Sequence, residues 1–101
     1  MPIHWDLLQD MDPELFEKTN EWRKGIDSRS AIPEKYRELM KVATACVLRY
    51  DSAILAHAEL AVAAGATKEE LFSALLQSML MGGIPAYRNA AMVLADYLKT
   101  L

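Results

Sequence analysis

Proline and glycine residues divide this sequence into stretches of helical length, and no stretch between them alternates apolar and polar residues as a strand does. Asp12-Pro13 and Pro33 suit the first turn of a helix, where the missing proline N–H needs no partner. Gly65 suits the left-handed end of a helix, and Gly82-Gly83-Ile84-Pro85 interrupts the apolar pattern before a last helix. The sequence therefore predicts an all-α fold, a compact bundle of about five or six helices.

The N-terminal part of the chain gives weaker signals. Residues 1–11 form an N-terminal extension that is expected to make a helical turn or to dock on a partner subunit. A helix with an apolar stripe is predicted from Pro13 to about Lys24. Gly25 is expected to stop it, and residues 27–30 are expected to be a polar connection.

Two later helix starts have clearer capping signals. The polar corner Arg49-Tyr50-Asp51-Ser52 joins two helices, and Asp51 or Ser52 is predicted to cap the second one. Thr67 with Glu70 three residues later has the spacing of a capping box. The helix between these starts is rich in alanine, so neighbouring helices can approach it closely.

Composition excludes several classes of partner. The net charge is −3 and no basic block occurs, so nothing indicates binding to nucleic acid. No apolar run approaches the roughly 20 residues of a membrane span, and no membrane association is expected. The N-terminus shows no secretory signal, which favours the cytoplasm. Residues 1–101 are expected to form a single domain.

The distribution of apolar residues favours assembly. Residues 53–64 and 71–81 have apolar side chains on nearly all sides of their predicted helices, so these helices need neighbours on more than one face. Six methionines and two tryptophans are consistent with subunit interfaces. We therefore expect a homo-oligomer rather than a monomeric bundle.

The best candidate for a chemical centre is the helix face shared by Tyr50, Ala53 and His57. An isolated histidine in a helix is more often structural than catalytic, but a neighbouring carboxylate fixes the tautomer of an imidazole and makes it a usable acid or base. Glu38 is roughly level with His57 if the two helices run antiparallel, yet spacing alone favours a solvated Glu38. Tyr50 either donates a proton or hydrogen bond to a ligand or packs at the corner.

Other residues indicate no metal, phosphate or thiol site. Cys46 is in register with the predicted buried stripe and is interpreted as a small core residue rather than a reactive thiol. One interior imidazole with scattered carboxylates is a weak basis for a metal site. The pair Gly82-Gly83 lacks the preceding strand and the following Lys-Ser/Thr of a phosphate loop. We expect no cofactor and no metal.

Three features occur in an order that resembles a known family. Glu38 precedes His57 by nineteen positions, Ala64-Gly65-Ala66-Thr67-Lys68-Glu69-Glu70-Leu71 follows, and Gly82-Gly83-Ile84-Pro85-Ala86 with Asn89 and Ala90 completes the set. Residues from about 12 to 98 thereby resemble the carboxymuconolactone decarboxylase-like proteins, which include the alkylhydroperoxidase D group. The core motif of that family is a glutamate followed by CxxCxxxH. The resemblance implies an all-helical subunit that assembles as trimers or hexamers, with pockets near subunit contacts.

The two cysteines of the family motif are absent from this chain. Tyr50 and Ala53 occupy their positions, so the dithiol peroxidase chemistry of one branch has no nucleophile here. Cys46 lies one helical turn before Tyr50 and does not replace them. A peroxidase or peroxiredoxin-type activity is therefore disfavoured.

The decarboxylase branch is less affected by the loss of the cysteines. The resemblance implies that His57 protonates the carbanion or dienolate left by CO2 loss, with Glu38 or Tyr50 setting its state and position. Arg49 and Arg88 are candidates for binding the substrate carboxylate. The predicted function is thus action on a small lactone or carboxylate with a histidine acid/base. The alternative is a non-catalytic ligand-binding or structural oligomer of the same fold, in which Glu38 and His57 are a packing pair.

Overall fold

The structure is a computed structural model that describes residues 2–101, which form six α-helices. They are α1 (Ile3–Met11), α2 (Pro13–Ser28), α3 (Glu34–Leu48), α4 (Asp51–Ala63), α5 (Lys68–Gly82) and α6 (Ile84–Lys99). None of these helices has both the length and the apolar character that crossing a bilayer requires. Contacts divide the chain into one unit that ends at Ala31 and a second unit, Ile32–Leu101. The predicted all-α fold is confirmed.

In the first unit, α1 and α2 pack against each other. Residues 3–11 form a helix of nine residues, longer than the helical turn expected from the sequence. The guanidinium carbon of Arg23 lies 4.4 Å from the centroid of the Trp5 ring, a cation–π contact that links the two helices. The predicted start of α2 is also present, because Asp12 Oδ1 accepts a hydrogen bond from the Leu15 N–H at 3.1 Å.

The prediction that Gly25 stops α2 is wrong. The helix continues to Ser28, so the first half of the predicted polar connection at 27–30 is helical. The Gly25 carbonyl still accepts hydrogen bonds from the Arg29 N–H at 3.2 Å and from Ser28 Oγ at 3.3 Å. A glycine inside a helix costs only about 0.5–1 kcal/mol relative to alanine, so the unbroken hydrogen-bond ladder outweighs it.

In the second unit, α3 packs against α4, α5 and α6. All four helices contribute side chains to one core, as does the loop before α5. Its members are Val42, Ala45, Cys46, Ile54, Ala58, Ala61, Ala66, Leu71, Ala74, Leu75, Ala90 and Leu94. Ala58 and Ala61 of α4 are fully buried, which is how the alanine-rich helix comes close to its neighbours. The core therefore fixes α4 against α3, and these two helices hold the candidate site.

The two glycines at the junction of α5 and α6 are required for different reasons. Gly83 has φ 85° and ψ 172°, a backbone conformation that essentially only glycine adopts. A Cβ on Gly82 would lie 3.0 Å from the Cβ of Ala86 and 3.4 Å from the Cα of Val47. The predicted break before the last helix is therefore confirmed, and Gly82 also permits a close approach of α5 to α3.

We expect Gly83→Ala to lower the free energy of unfolding by about 1–3 kcal/mol, because alanine is strained at this backbone conformation. Gly25→Ala is the matched control, since Gly25 is helical and its added Cβ would meet no atom within 4 Å. The control is expected to raise the free energy of unfolding by about 0.5–1 kcal/mol. Denaturant unfolding measures both values, and stabilisation by Gly83→Ala would contradict the backbone argument.

The capping box at the start of α5 is present as predicted. Thr67 Oγ1 accepts the Glu70 N–H at 3.1 Å, and Glu70 Oε1 accepts the Thr67 N–H at 3.0 Å. Glu70 Oε2 also lies 3.2 Å from Lys35 Nζ of α3. The hydrogen bond from the Thr67 backbone, followed by the contact with Lys35, lowers the pKa of Glu70. The carboxylate thus joins the first turn of α5 to the first turn of α3.

This lowered pKa predicts a pH-dependent stability. A carboxyl group whose pKa is lower in the folded state stabilises the fold above its unfolded pKa, and this contribution disappears as the pH falls through the folded value. Glu70→Gln keeps a side chain that can cap but removes the charge, so it should be less stable than wild type at neutral pH. The difference should shrink in acid. Denaturant unfolding across this range tests it, with exposed Glu69→Gln as control; a difference independent of pH would contradict it.

Candidate active site

The chain reverses direction between α3 and α4 at Arg49 and Tyr50. Arg49 has φ 56° and ψ 39°, the left-handed conformation that few residues other than glycine adopt. Its N–H donates to the Cys46 carbonyl at 3.2 Å, and the Tyr50 N–H donates to the Ala45 carbonyl at 2.9 Å. These bonds satisfy carbonyls at the end of α3, and α4 then packs along α3.

The predicted caps Asp51 and Ser52 are wrong by one residue or two. Tyr50 occupies the N-cap position of α4, and no side chain caps this helix. Asp51 is already helical, and its Oδ1 accepts a hydrogen bond from Asn89 Nδ2 at 2.7 Å. The Asp51 carboxylate therefore ties the start of α4 to α6, which replaces the local cap that the sequence suggested.

Glu38 is buried between α3 and α4, with 6% of its surface exposed. Its Oε2 lies 2.7 Å from His57 Nδ1, and its Oε1 lies 3.2 Å from Lys41 Nζ. A buried carboxylate is costly unless it is paired, and here both oxygens have a nitrogen partner. The interpretation of Glu38 as a solvated residue is therefore wrong. Its helical position was compatible with either environment, and the close approach of α4 decided between them.

His57 contacts Glu38 through one ring nitrogen, and the other nitrogen has no hydrogen-bond partner in the described residues. Its side chain is 26% exposed, and Nδ1 is the atom in contact with the carboxylate. Nε2 makes no hydrogen bond within residues 2–101. An ionised carboxylate can only accept a hydrogen bond, so it pairs with the imidazole tautomer that has its proton on Nδ1, and Nε2 is then the nitrogen for exchange with a ligand. This arrangement can transfer one proton at a defined atom.

The other sequence-predicted site residues are not bonded to this pair. Tyr50 shares the predicted face of α4, but it is seven residues from His57, roughly 10 Å along the helix axis. Arg49 and Arg88 are exposed. None of the three makes a hydrogen bond or ion pair with Glu38 or His57 in the described chain. The structure thus brings together two of the five predicted site residues.

Cys46 lies in the core, as the sequence indicated. It is fully buried, and burial raises the pKa of its thiol, with a smaller opposing effect of a hydrogen bond with Ser78. The reactive form of a cysteine is the thiolate, which such burial disfavours. The described residues also contain no group of three or more His, Cys, Asp or Glu side chains placed to hold a metal ion.

Lys41 is the site residue that the sequence analysis missed. It lies three positions after Glu38 on α3, where acid–base pairs on one helix face can meet. That spacing is common on solvated helices, so it becomes informative only once Glu38 is known to be buried. The site therefore consists of a carboxylate held by a lysine from its own helix and by a histidine from the next.

Comparisons with known proteins agree with this architecture. A crystal structure of a protein from Burkholderia xenovorans LB400, described as a candidate carboxymuconolactone decarboxylase, superposes with a TM-score of 0.80. The two sequences are 23% identical, and the match covers 99% of this chain and 81% of that one. At this identity the similarity shows a shared fold. No curated protein matches the chain.

The sequence model of the carboxymuconolactone decarboxylase family matches residues 13–96. This range includes Glu38, Lys41 and His57, as well as the glycine break before α6. It also covers most of both structural units. The chain therefore belongs to the carboxymuconolactone decarboxylase family.

Proposed function

We propose that this protein decarboxylates a small lactone or related carboxylate and that His57 is its acid/base. The observation that carries the proposal is the 2.7 Å contact between His57 Nδ1 and Glu38 Oε2, which leaves Nε2 without a partner in the described chain. A histidine oriented by a carboxylate can serve as a general acid or base near neutral pH. Membership of the family supports the substrate class.

The proton transfer in this reaction takes place at one atom. Cleavage of the bond to the carboxylate releases CO2 and leaves the bonding electron pair on a dienolate. Protonated His57 donates its Nε2 proton to that dienolate and becomes neutral, while Nδ1 keeps the proton shared with Glu38. A proton from solvent then restores His57, which is possible because the ring is partly exposed. The balance is one carboxylate and one proton consumed for one CO2 and one protonated product.

Binding of the substrate carboxylate is proposed for Arg49 and Arg88. Both side chains are exposed, and a guanidinium group matches the geometry of a carboxylate. Neither makes a hydrogen bond or ion pair with Glu38 or His57 in the described chain, so both are proposed to bind the carboxylate rather than to take part in the proton transfer. Tyr50, also exposed, is proposed to donate a hydrogen bond to a ligand oxygen.

Two features disfavour a thiol peroxidase. The CxxC cysteines are replaced by Tyr50 and Ala53, and the one cysteine that remains is Cys46 in the core. Because burial raises the pKa of its thiol, Cys46 is a poor nucleophile. The proposed reaction needs no sulfur atom.

Turnover of 4-carboxymuconolactone, followed as CO2 release, tests the proposal. We expect release by the wild-type protein and similar release by Cys46→Ala, since Cys46 lies outside the proposed chemistry. Activity lost in Cys46→Ala while the variant remains folded would favour thiol chemistry. No release by wild type would contradict decarboxylation of this substrate. It would favour a non-catalytic ligand-binding or structural role, which the burial and double pairing of Glu38 also suit.

We propose in addition that the protein assembles into a homo-oligomer, a trimer or a hexamer. Large apolar side chains are exposed at the junction of α5 and α6, namely Leu80, Met81 and Ile84. Such residues are typical of surfaces that a partner covers. Light scattering should give an integral multiple of the subunit mass, and Met81→Lys should lower it. A monomer at all concentrations would contradict the proposal.

A further inference from the structure

We propose that Lys41 is a positioning residue of the site: by binding Oε1 of Glu38, it holds Oε2 as the acceptor for His57 and fixes the imidazole with its proton on Nδ1. Lys41 Nζ and His57 Nδ1 contact different oxygens of one carboxylate, at 3.2 and 2.7 Å. The inference rests on the proposed function only in taking Glu38 and His57 as the reactive pair.

The donors at the carboxylate determine where the shared proton lies. A contact of 2.7 Å between Oε2 and Nδ1 contains one proton, on either the oxygen or the nitrogen. The lysine ammonium is a donor without an acceptor site, so Oε1 must accept from Lys41. A proton on Oε2 would leave the ammonium facing a neutral carboxyl group and would forfeit a charge-assisted hydrogen bond. The arrangement therefore favours the proton on Nδ1.

Lys41 also restricts the orientation of the carboxylate. A glutamate held through one oxygen can rotate about its last torsion, which is broad. Held through both oxygens, by Lys41 on α3 and by His57 on α4, it cannot rotate without breaking a contact. The orientation of the His57 ring follows, because its Nδ1 must face Oε2. Nε2 is then the nitrogen through which protons exchange with a ligand.

The tautomer can be measured without any substrate. In protein labelled with 15N-histidine, long-range 1H–15N spectra distinguish a protonated from an unprotonated ring nitrogen. At a pH at which the imidazole ring is neutral, the wild-type spectrum should show His57 with a protonated Nδ1 and an unprotonated Nε2. Lys41→Met should lose this single pattern and give a mixture of tautomers, whereas Lys41→Arg, which keeps a charged donor, should retain it.

A matched control separates positioning from a general effect of losing an ion pair. Lys35 is on the same helix and also forms an ion pair of 3.2 Å, with Glu70, at an exposure of 27% against 37% for Lys41. Lys35→Met should therefore leave the tautomer of His57 unchanged. If Lys41→Met does not fold, Lys41→Gln, which keeps a neutral donor, is measured in its place. A wild-type tautomer in the folded variant without the charge would overturn the proposal.

Kinetics give a second readout for the same variants. In a catalytic triad in which a carboxylate sets the tautomer of a histidine, the wrong tautomer lowers kcat by about 10⁴-fold. Because Lys41→Met is expected to give a mixture that still contains the wild-type tautomer, we expect kcat to fall by much less than this, with little change in KM, and Lys41→Arg to restore it. A tautomer pattern that Lys41→Met disturbs, with no CO2 release from wild type, would reject the reaction and retain the role of Lys41. CO2 release by the wild type together with an unchanged tautomer in Lys41→Met would retain the reaction and reject the role of Lys41.

Discussion

His57→Ala is expected to lower kcat/KM for CO2 release from 4-carboxymuconolactone by about 10²–10⁴-fold, the usual contribution of a positioned general acid. The variant removes Nε2, the polar atom of the Glu38–His57 pair that has no partner in the described residues, and water is left to protonate the dienolate. The measurement is the rate of CO2 release under conditions in which substrate is limiting. Circular dichroism on the same sample verifies that the six helices remain.

The chain offers a matched control for this substitution. His4 is its only other histidine, and it is exposed on α1, where its ring lies 4.6 Å from that of Trp5. His4→Ala should leave the rate unchanged. A folded His57→Ala variant that retained the wild-type rate would contradict the assignment of His57 as the acid/base, whatever the effect of His4→Ala.

Glu38→Gln extends the same test to the partner of His57. Glutamine can still accept a hydrogen bond from Nδ1, but it does not balance the charge of a protonated ring, so the rate should fall less than in His57→Ala. Groups that act as a unit are strongly non-additive. The double variant should therefore be no slower than His57→Ala alone. If the loss of rate in the double variant equalled the product of the losses in the two single variants, the two residues would act independently.

The helix boundaries that could be predicted from the sequence depend on local chemistry. The Thr67–Glu70 capping box involves two side chains three residues apart, and each bond closes within the first turn of α5. The start of α2 at Asp12 and the break at Gly83 have the same local character. Such signals need no knowledge of the rest of the fold, which is why the sequence alone predicts them.

The contact at the candidate site could not be predicted in this way. Glu38 lies about three turns before the corner at Arg49 and His57 about two turns after it, so their levels differ by roughly one turn or 5 Å. Whether the side chains bridge that difference depends on how closely α4 approaches α3. The approach is set by buried alanines such as Ala58 and Ala61 and by the left-handed turn at Arg49. Residue spacing contains none of this information.

Two incorrect predictions have a related cause. Asp51 was expected to cap α4, but its carboxylate binds Asn89, which is 38 positions away. Spacing alone favours a solvated Glu38, but Glu38 binds a histidine 19 positions away. In both cases a local preference of a carboxylate was replaced by a partner on another helix. Family resemblance identified Glu38 and His57 as a pair, whereas composition and periodicity could not.

Leu94→Ala is expected to lower the free energy of unfolding by about 2–5 kcal/mol, the range for deleting a leucine side chain from a packed core. Leu94 of α6 is among the largest side chains with no exposed surface, and it belongs to the core that holds α3, α4 and α6 together. A small domain is stable by only about 5–15 kcal/mol, so this single cavity removes a large share. The expected fall in Tm is roughly 10 °C or more.

Met92→Ala on the same helix is the matched control, because Met92 is 78% exposed. It should change the free energy of unfolding by no more than about 0.5 kcal/mol, as for most surface substitutions. If Met92 lies in a subunit contact, its substitution would also change the mass measured by light scattering. The folded fraction of Leu94→Ala should keep the wild-type mass. Equal destabilisation by the two variants at constant mass would contradict the packing of α6. Destabilisation by Leu94→Ala alone would confirm that Leu94 is packed in the core that α6 shares with α3 and α4, the two helices that carry Glu38 and His57.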